Sequence, residues 1–400
     1  MNAKNSPQCI AIWNSKRFQR FIKRIDISAS GDISFSINDS IDTQGLSGLP
    51  LLLVLVKHYK GLLDELQDEM TSLNIENLPQ YMVQGYIREY SAYATLYRSF
   101  MDDIKILKEP HTEGKPTDQH FIPNAYTQFF TDNLTLKKKP NRLSKLSTKG
   151  KVSLISTNSP DFKWGSNEPI MLYSNSLESL FSCIEGDYAK VINQFIKKSS
   201  STDLRLGRSW NFDEDSFNHS TKNAWDRMIL SLFMVIQFTR SPSSVKQVEE
   251  RGRKFGQESK ADKMLVNTLT SFSTDLFLGQ WTWAKTEDDL FFLSETVVFD
   301  RGYYSSQGTW NMPIGRKLMI SVDYDSSKNC NTATNSNIVI QTQEETKTFK
   351  NLMYEQMLTK GLSAFGCPFD TPFSENKHFE MNLAETKEPI AIWKTDYPSM

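Results

Sequence analysis

Three side chains that are far apart in the sequence have the types needed for chemistry at a phosphate group. His120 could transfer protons, because the pKa of an unperturbed imidazole is about 6.5. Arg240 could clamp a phosphate or carboxylate through two parallel N–H bonds, and Glu295 could orient the reacting groups. If the three residues converge in one cleft, they predict hydrolysis or transfer at a phosphate-bearing substrate.

Each of these residues also has an ordinary structural interpretation. His120 stands three positions before Pro123, which is suited to a first helical turn, so its ring could instead bond the amides of that helix. Arg240 follows the apolar part of a helix, where a cation interacts favourably with the last carbonyls. Glu295 comes just after a predicted strand and could pair with Arg240 or with a surface lysine. Both interpretations remain open for each residue.

Two basic segments could contact single-stranded nucleic acid. In the first, cations interleave with Trp13, Phe18 and Phe21, and the second is a lysine-rich stretch over residues 134–152. Phosphates attract such cations, and bases stack on aromatic rings. The residues predicted to make these contacts are Arg17, Arg20, Lys137, Lys138, Lys139 and Arg142. The alternative is a solvated basic face, since the whole chain has a net charge of only −1.

The sequence motifs predict no metal site and leave any cofactor unknown. The chain lacks a Gly-rich phosphate loop, a His-Glu-x-x-His pair and a Gly-x-Ser-x-Gly nucleophile. These absences disfavour nucleotide-driven motors, zinc proteases and ordinary serine hydrolases. Cys9, Cys183, Cys330 and Cys367 are too widely spaced for a metal knuckle or a disulfide framework, so we expect reduced thiols.

Residues 1–115 are predicted to form an N-terminal extension with a β-hairpin and a helical hairpin. Isoleucine and phenylalanine alternate on both sides of the segment Ser30-Gly31-Asp32, which is typical of two paired strands. Helices are predicted over residues 49–73 and 79–107, and the second carries a series of tyrosines at mostly helical spacing. Proline and glycine between residues 109 and 118 indicate a linker, so the main domain is predicted to span residues 116–400.

The main domain is predicted to begin with helices. An amphipathic helix covers residues 177–195, with Glu185 at the border of its apolar face, where we expect a solvated side chain. Residues 225–238 are apolar nearly all round, which is typical of a buried central helix, and Pro242 ends it. A long polar helix is predicted over residues 245–277.

Strands follow these helices. Residues 280–285 and 290–293 are predicted to pair as a tryptophan-containing hairpin, and residues 317–322 form a further strand. Because helices and strands occupy separate parts of the chain, the sequence predicts an α+β fold. This fold has a helical core and a small antiparallel sheet from the C-terminal half, in addition to the N-terminal β-hairpin and helical hairpin.

We expect a soluble, cytoplasmic protein with no membrane association. The composition is globular, with 38% hydrophobic residues and 25 phenylalanines. The first thirty residues alternate apolar with basic groups, which is unlike a secretory signal. The longest apolar run, residues 49–56, is shorter than the roughly 20 residues that a bilayer-spanning helix needs.

Several short motifs occur in the order of a known bacterial family. They are His120-Phe-Ile-Pro123, Thr239-Arg-Ser-Pro242, Ser294-Glu-Thr-Val297 and Pro313-Ile-Gly-Arg-Lys-Leu318. Over residues 117–365 the chain resembles the "domain of unknown function 4238" family. That family has a histidine before a proline, an Arg-Thr-Pro after a central helix, a Ser-Asp-Asn-Pro-Val turn and a Pro-Leu-Ser segment. Here serine replaces the threonine, and Glu295 replaces the aspartate without the following Asn-Pro. The resemblance implies a bacterial protein and brings no established activity.

Two functional hypotheses follow. The first is an enzyme, a hydrolase in the simplest case, that acts on a phosphate-bearing substrate such as nucleic acid in antiviral defence against phage. The second is a non-catalytic binding or regulatory module that holds a protein or nucleic-acid partner through the tyrosine-rich N-terminal helices and the basic segments. The sequence alone does not decide whether the protein is an enzyme.

Overall fold

Among the described residues, the helices lie between Gly48 and Leu278 and most of the strand residues follow Gln280, so the predicted α+β class is confirmed. The structure, a computed structural model, describes residues 22–27, 33–37, 46, 48–108, 122–130, 142–146, 152–156, 159–162, 175–198, 210–241, 244, 261–285, 293–294, 297–301, 307–315, 318–325, 337–340 and 364–365.

Seven α-helices lie within these ranges. They are α1 (Gly48–Ser72), α2 (Gln80–Lys108), α3 (Asn124–Thr127), α4 (Asn175–Phe195), α5 (Glu214–Lys222), α6 (Ala224–Thr239) and α7 (Ala261–Leu278). Both predicted N-terminal helices, the amphipathic helix and the buried helix are confirmed within one or two residues. The predicted polar helix is described only from Ala261 onward, and its first half lies outside the described residues. No helix among the described residues is long and apolar enough to cross a bilayer.

The strands form two larger sheets and two strand pairs. They are β1 (Ile22–Ile27), β2 (Ile33–Ile37), β3 (Arg142–Leu146), β4 (Val152–Ser156), β5 (Ile196–Lys198), β6 (Trp210–Phe212), β7 (Gln280–Lys285), β8 (Leu293–Ser294), β9 (Phe299–Arg301), β10 (Gln307–Gly315), β11 (Leu318–Asp325), β12 (Asn337–Ile340) and β13 (Ala364–Phe365). The larger sheet has the order β12-β7-β11-β10-β9, and the second has β4-β3-β13-β8. The pairs are β1-β2, which confirms the predicted β-hairpin, and β5-β6.

The predicted tryptophan-containing hairpin is wrong in its pairing. Strand β7 pairs antiparallel with β11 and parallel with β12, whereas β8 joins β13 in the other sheet. The two strands are close in sequence but belong to different sheets, because the partners of β7 lie 33 to 55 positions later in the chain. The register places Trp281 opposite Val322, and the Trp281 indole donates to Leu276 O at 2.9 Å, which ties the strand to the end of α7.

Helix α6 is the centre of the core. All of its residues except Phe238 are buried, which is what an all-round apolar sequence predicts. Its start is fixed by Asn223, whose side chain accepts a hydrogen bond from the Asp226 amide at 3.1 Å. Helices α1, α4, α5 and α7 all pack on it, so α6 sets the positions of the residues at its two ends.

The helical hairpin of α1 and α2 packs against the same core. Tyr86 donates to Glu69 across the hairpin at 2.7 Å, and the rings of Tyr59 and Phe100 lie 5.8 Å apart. Helix α2 also reaches α4, where the Tyr90 hydroxyl donates to an Asp187 carboxylate oxygen at 2.9 Å. Buried side chains of α1 and α2 therefore belong to one continuous apolar cluster with those of α4, α6 and the larger sheet. The predicted division at residue 115 stays a prediction.

The segment after Pro123 is anchored by aromatic rings. It forms only one turn of α-helix, α3, followed by a 3-10 turn over Gln128–Phe130. Tyr126 and Phe130 are fully buried, and the Tyr126 hydroxyl donates to the carbonyl of Pro313 on β10. Phe233 of α6 lies 5.7 Å from the Tyr126 ring, so the turn joins the central helix to the larger sheet.

Candidate functional site

Arg240 is held at the end of the central helix by the backbone. Its amide donates to Ile236 O at 2.9 Å, and it is the C-terminal cap of α6. Ser241 and Pro242 follow, and the proline prevents the helix from continuing. The side chain of Arg240 is only 4% exposed, so its charge must be matched within the protein.

Two carboxylates of α4 match this charge. The guanidinium of Arg240 forms an ion pair with Glu185, and its second terminal nitrogen lies 3.5 Å from an oxygen of Glu178. Phe181 stands between these two acids on α4, and its ring centroid is 5.0 Å from the guanidinium carbon. The spacing of three and four residues places all three side chains on one face of α4. We call Arg240, Glu178, Phe181 and Glu185 the arginine cluster.

The arginine cluster leaves Arg240 poorly suited to bind an external anion. A phosphate would have to displace two carboxylates from a guanidinium that is itself only 4% exposed. Burial raises the pKa of Glu185, with Arg240 and its hydrogen bond acting in the opposite direction. The expectation of a solvated Glu185 is therefore wrong, because the arginine at the end of α6 draws this carboxylate into a half-buried ion pair.

The other predicted catalytic residues, His120 and Glu295, lie outside the described residues. Of the predicted nucleic-acid contacts, Arg142 lies at the start of β3, opposite Ser156 of β4. The remaining contacts, Arg17, Arg20, Lys137, Lys138 and Lys139, lie outside the described residues. The convergence of His120, Arg240 and Glu295 and the nucleic-acid role of the basic segments therefore stay predictions.

Within the lysine-rich segment, one described lysine has an internal partner. Lys145 of β3 forms an ion pair with Asp161, which also accepts a hydrogen bond from the Ser159 hydroxyl at 2.9 Å. This pair fixes β3 to the short turn after β4. Lys145 therefore contributes to the fold here, and its charge is partly neutralised before any phosphate approaches.

A polar cluster that the sequence analysis missed lies where α5 meets α6. The Ser220 hydroxyl donates to Gln194 of α4 at 3.2 Å. Burial raises the pKa of the nearby Asp226 carboxyl, while its interactions with Ser220, His219 and Gln194 lower it. These are serine, histidine and aspartate side chains, but Ser220 is fully buried. A hydroxyl without access to substrate cannot act as a nucleophile, so the cluster serves the helix junction. The Asn-x-x-Asp spacing of Asn223 and Asp226 was its sequence signal.

The helical hairpin has a surface that is apolar and only partly covered. The buried residues of α1 begin at Tyr59, whereas the apolar run over residues 49–56 is half-buried or exposed throughout. Leu53 is 50% exposed, Leu46 is 37% exposed and Met101 of α2 is 38% exposed. The antiparallel packing of the hairpin brings the start of α1 beside the end of α2. We call Leu46, residues 49–56 and Met101 the apolar end.

The apolar run over residues 49–56 contains a sequence signal for this surface in addition to its length. A helix with one buried face has an apolar stripe on that face and polar residues on the other. Residues 49–56 have no polar face, because none of their side chains is charged or forms hydrogen bonds. A run of this kind predicts either a central helix, as in α6, or an apolar surface. The structure shows the second case.

The described residues contain no group of three His, Cys, Asp or Glu side chains that could hold a metal ion. Comparisons of the chain with models of known protein families, with curated proteins and with solved structures each found no match. The resemblance to the bacterial domain family therefore stays a prediction, and the function must be argued from the geometry.

Proposed function

We propose that this protein is a non-catalytic binding module that holds a protein partner through the apolar end of its helical hairpin. The observation that carries the proposal is the exposure of Leu53 in a helix segment without polar side chains. Large apolar side chains grouped at one place on a surface are typical of interaction sites, whereas single ones are common everywhere.

The charges beside the apolar end favour a particular kind of partner. Lys57 lies one helical turn after Leu53, and Lys105 lies one turn after Met101, and both lysines are exposed. Asp102 and Asp103 lie at the same end of α2, so exposed charges of both signs border the apolar end. A partner with an apolar helix or strand face bordered by both acidic and basic side chains would complement this surface.

The arginine cluster is the reason to favour binding over phosphate chemistry. An enzyme of the kind predicted from the sequence needs Arg240 to face a substrate, and its guanidinium instead faces Glu185 and Glu178. The apolar end, in contrast, lies on the surface without any rearrangement.

The test compares two surface variants of the full-length chain. Leu53→Lys places a charge in the centre of the apolar end, and Tyr81→Lys changes a side chain that is 41% exposed near the start of α2, at the other end of the helical hairpin. Partners cross-linked to the wild-type protein in cell extract would be identified, purified and titrated by calorimetry. We expect Leu53→Lys to weaken binding by about tenfold or more, and Tyr81→Lys to leave it unchanged.

Two results would contradict the proposal. One is a purified partner that binds the Leu53→Lys variant as tightly as the wild-type protein. The other is turnover of a phosphate compound that is lost in an Arg240→Lys variant with normal thermal stability, since that would return Arg240 to a catalytic role.

A further inference from the structure

One exposed stripe of α1 changes from apolar to charged along the helix. Its members, at spacings of three and four residues, are Pro50, Leu53, Lys57, Lys60 and Asp64. Lys60 and Asp64 form an ion pair with each other, so these two charges are matched within the chain. Pro50 and Leu53 remain exposed to solvent at the start of the helix.

Met101 of α2 lies on a similar stripe. Arg98, Met101 and Lys105 are exposed at spacings of three and four residues. Because α1 and α2 are antiparallel, Leu53 and Met101 lie at the same end of the helical hairpin, and each stands one helical turn before a lysine. The two helices therefore present the same pattern, an apolar residue followed by a cation.

The charges that border the apolar end have both signs. Asp102 pairs with Arg98 of the preceding turn at 3.3 Å. Lys57, Lys105 and Asp103 are exposed, and none of them forms an ion pair with another described residue. These three charges are therefore available to a bound partner.

A second copy of the apolar end has the properties that a partner of this surface needs. It supplies large apolar side chains bordered by both acidic and basic groups. In a two-fold contact the same surface is used on both copies, so every contact between two different residues occurs twice. Asp103 of each copy can then face the lysines of the other, with Leu53 and Met101 between them. One acid beside two lysines thus gives complementary charges without any other protein.

We propose that the apolar end is a two-fold interface between two copies of this chain. Helix α1 of one copy lies against α2 of the other, so the ends of four helices form the contact. Leu53 and Met101 leave water at its centre, and the charged residues remain at its rim. This inference names the partner in the proposed binding function and therefore rests on that function.

The size of the apolar end sets the expected affinity. A standard interface takes about 20 to 30 residues and about 800 Å² from each partner. The apolar end has fewer residues than this, even when its charged border is included. We therefore expect a reversible dimer with a dissociation constant of about 10 μM rather than a permanent one.

The first experiment measures self-association of the full-length chain by sedimentation velocity. Over protein concentrations from about 1 to about 200 μM, the wild-type chain should pass from monomer to dimer. Leu53→Lys should raise the dissociation constant of the dimer by about tenfold or more, because it places a charge at the centre of the contact. Tyr81→Lys is the matched control at the other end of the helical hairpin and should leave this constant unchanged.

Three results of this experiment would overturn the proposal. One is a wild-type chain that stays monomeric over the whole range. Another is growth beyond the dimer, since a two-fold contact is complete with two copies. The third is a dimer that Leu53→Lys leaves unchanged, because a different surface would then hold the copies together.

The second experiment tests whether the charges meet across the interface. Asp103→Lys leaves only cations unpaired at the border, and Lys57→Glu with Lys105→Glu leaves only acids. Each variant alone should dimerise about tenfold more weakly than the wild-type chain, since like charges then face each other. An equal mixture of the two should form a heterodimer at least as tight as the wild-type dimer.

The control for these charge changes is Lys222→Glu on α5. Lys222 is exposed and precedes Asn223, which forms a β-bridge with Asn74 at the closed end of the helical hairpin, away from Leu53. Its dimer should keep the wild-type dissociation constant. A mixture that associates no better than its separate components would overturn the proposal, and so would wild-type affinity in both components.

The proposed function and this inference can fail separately. If the chain stays monomeric while a different protein depends on Leu53, the binding function stands and the two-fold interface fails. If Leu53→Lys changes neither a dimer nor any other complex, both fail.

Discussion

The Arg240 guanidinium at the end of α6 and the Glu185 carboxylate on α4 form an ion pair inside the helical core. Glu178 adds a second carboxylate to the same guanidinium, and Phe181 covers its face. An exposed pair of this kind would contribute little to stability, but one that is largely removed from water becomes costly to break. The pair therefore joins two central helices and makes Arg240 part of the scaffold.

Replacing Arg240 with alanine should destabilise the protein strongly. Glu185 and Glu178 would be left in a half-buried place without their cation, and the stacking on Phe181 would be lost as well. We expect a decrease in the free energy of unfolding of about 3 kcal/mol at neutral pH, measured by urea denaturation.

The double variant Arg240→Leu with Glu185→Leu is the matched control, because it removes both members of the shorter ion pair, keeps apolar volume and leaves Glu178 as the one carboxylate of the cluster. We expect it to recover more than half of the loss caused by Arg240→Ala, as apolar replacements of buried ion pairs commonly do. A loss of less than about 0.5 kcal/mol in the Arg240→Ala variant would mean that solvent reaches the pair and that Arg240 is available to other ligands.

The sequence predicted the helices well and the strand pairing poorly, for physical reasons. Helix α6 is recognisable because its apolar residues and its stop at Pro242 all lie within one short segment. Strand β7 is also recognisable, but its partners β11 and β12 are chosen by the packing of the whole sheet. No local pattern distinguishes those partners from β8, which is the nearest strand along the chain and pairs elsewhere.

The same distinction applies to the candidate site. The place of Arg240 at the end of a buried helix follows from neighbouring residues, whereas its ion pair depends on Glu185, which is 55 positions away. At the border of an apolar face, a glutamate is normally solvated, and only the approach of the arginine changes that outcome. The exposure of Leu53 has the same origin, since it depends on where the covering helices end rather than on the sequence of α1.

Gly279 between α7 and β7 should not tolerate a side chain. A Cβ at this position would lie 2.7 Å from Asp323 O and 2.7 Å from a methyl group of Val322, both on β11. Because a backbone oxygen cannot move without disturbing the sheet, we expect Gly279→Ala to lower the free energy of unfolding by about 2 kcal/mol. Thermal and urea unfolding measure the change.

Gly186 within α4 is the matched control for this substitution. A Cβ there would meet nothing within 4 Å, and alanine favours a helix interior by about 1 kcal/mol over glycine. We therefore expect Gly186→Ala to stabilise the protein. Two substitutions of the same type should shift stability in opposite directions, and a shift of the same sign in both would contradict the close approach of the α7–β7 turn to β11.

Arg227 should not be replaceable by lysine. Its guanidinium donates to Phe277 O at 2.6 Å, to Thr221 O at 3.0 Å and to Gly279 O. The guanidinium carbon also lies 5.7 Å from the ring centroid of Phe277 and 5.6 Å from that of Trp281. A lysine ammonium cannot reach three carbonyls in this planar arrangement. We expect Arg227→Lys to lower the free energy of unfolding by about 2 to 3 kcal/mol.

The control is Arg98→Lys on α2, where the arginine pairs with Asp102 at 3.3 Å on the surface. This exposed pair should change the stability by less than about 0.5 kcal/mol when lysine replaces arginine. If both variants lose the same amount of free energy, the three carbonyl contacts of Arg227 are not what stabilises the junction of α5, α6 and α7.

Asp275 on α7 should make stability fall as the pH rises through the weakly acid range. Burial raises the pKa of this half-buried carboxyl from its ordinary value of 3.8 to about 6. Because its pKa is higher in the folded state than in the unfolded state, the folded state binds the proton more tightly. The contribution of Asp275 is therefore most favourable below about pH 4 and is lost as the pH rises through about 6.

Asp275→Asn should remove this dependence, since an amide does not titrate. At pH 8 we expect the variant to be more stable than the wild-type protein by about 1 to 2 kcal/mol, a value reduced for the part of the carboxyl that water reaches. At pH 4 the two proteins should have nearly equal stability.

The control for Asp275→Asn is Asp103→Asn, which changes an exposed carboxyl on α2. The free energy of unfolding of each protein is measured by urea denaturation at pH 4, 6 and 8. A difference between Asp275→Asn and wild type that is the same at all three pH values would contradict the raised pKa, because a change in packing alone does not depend on protons.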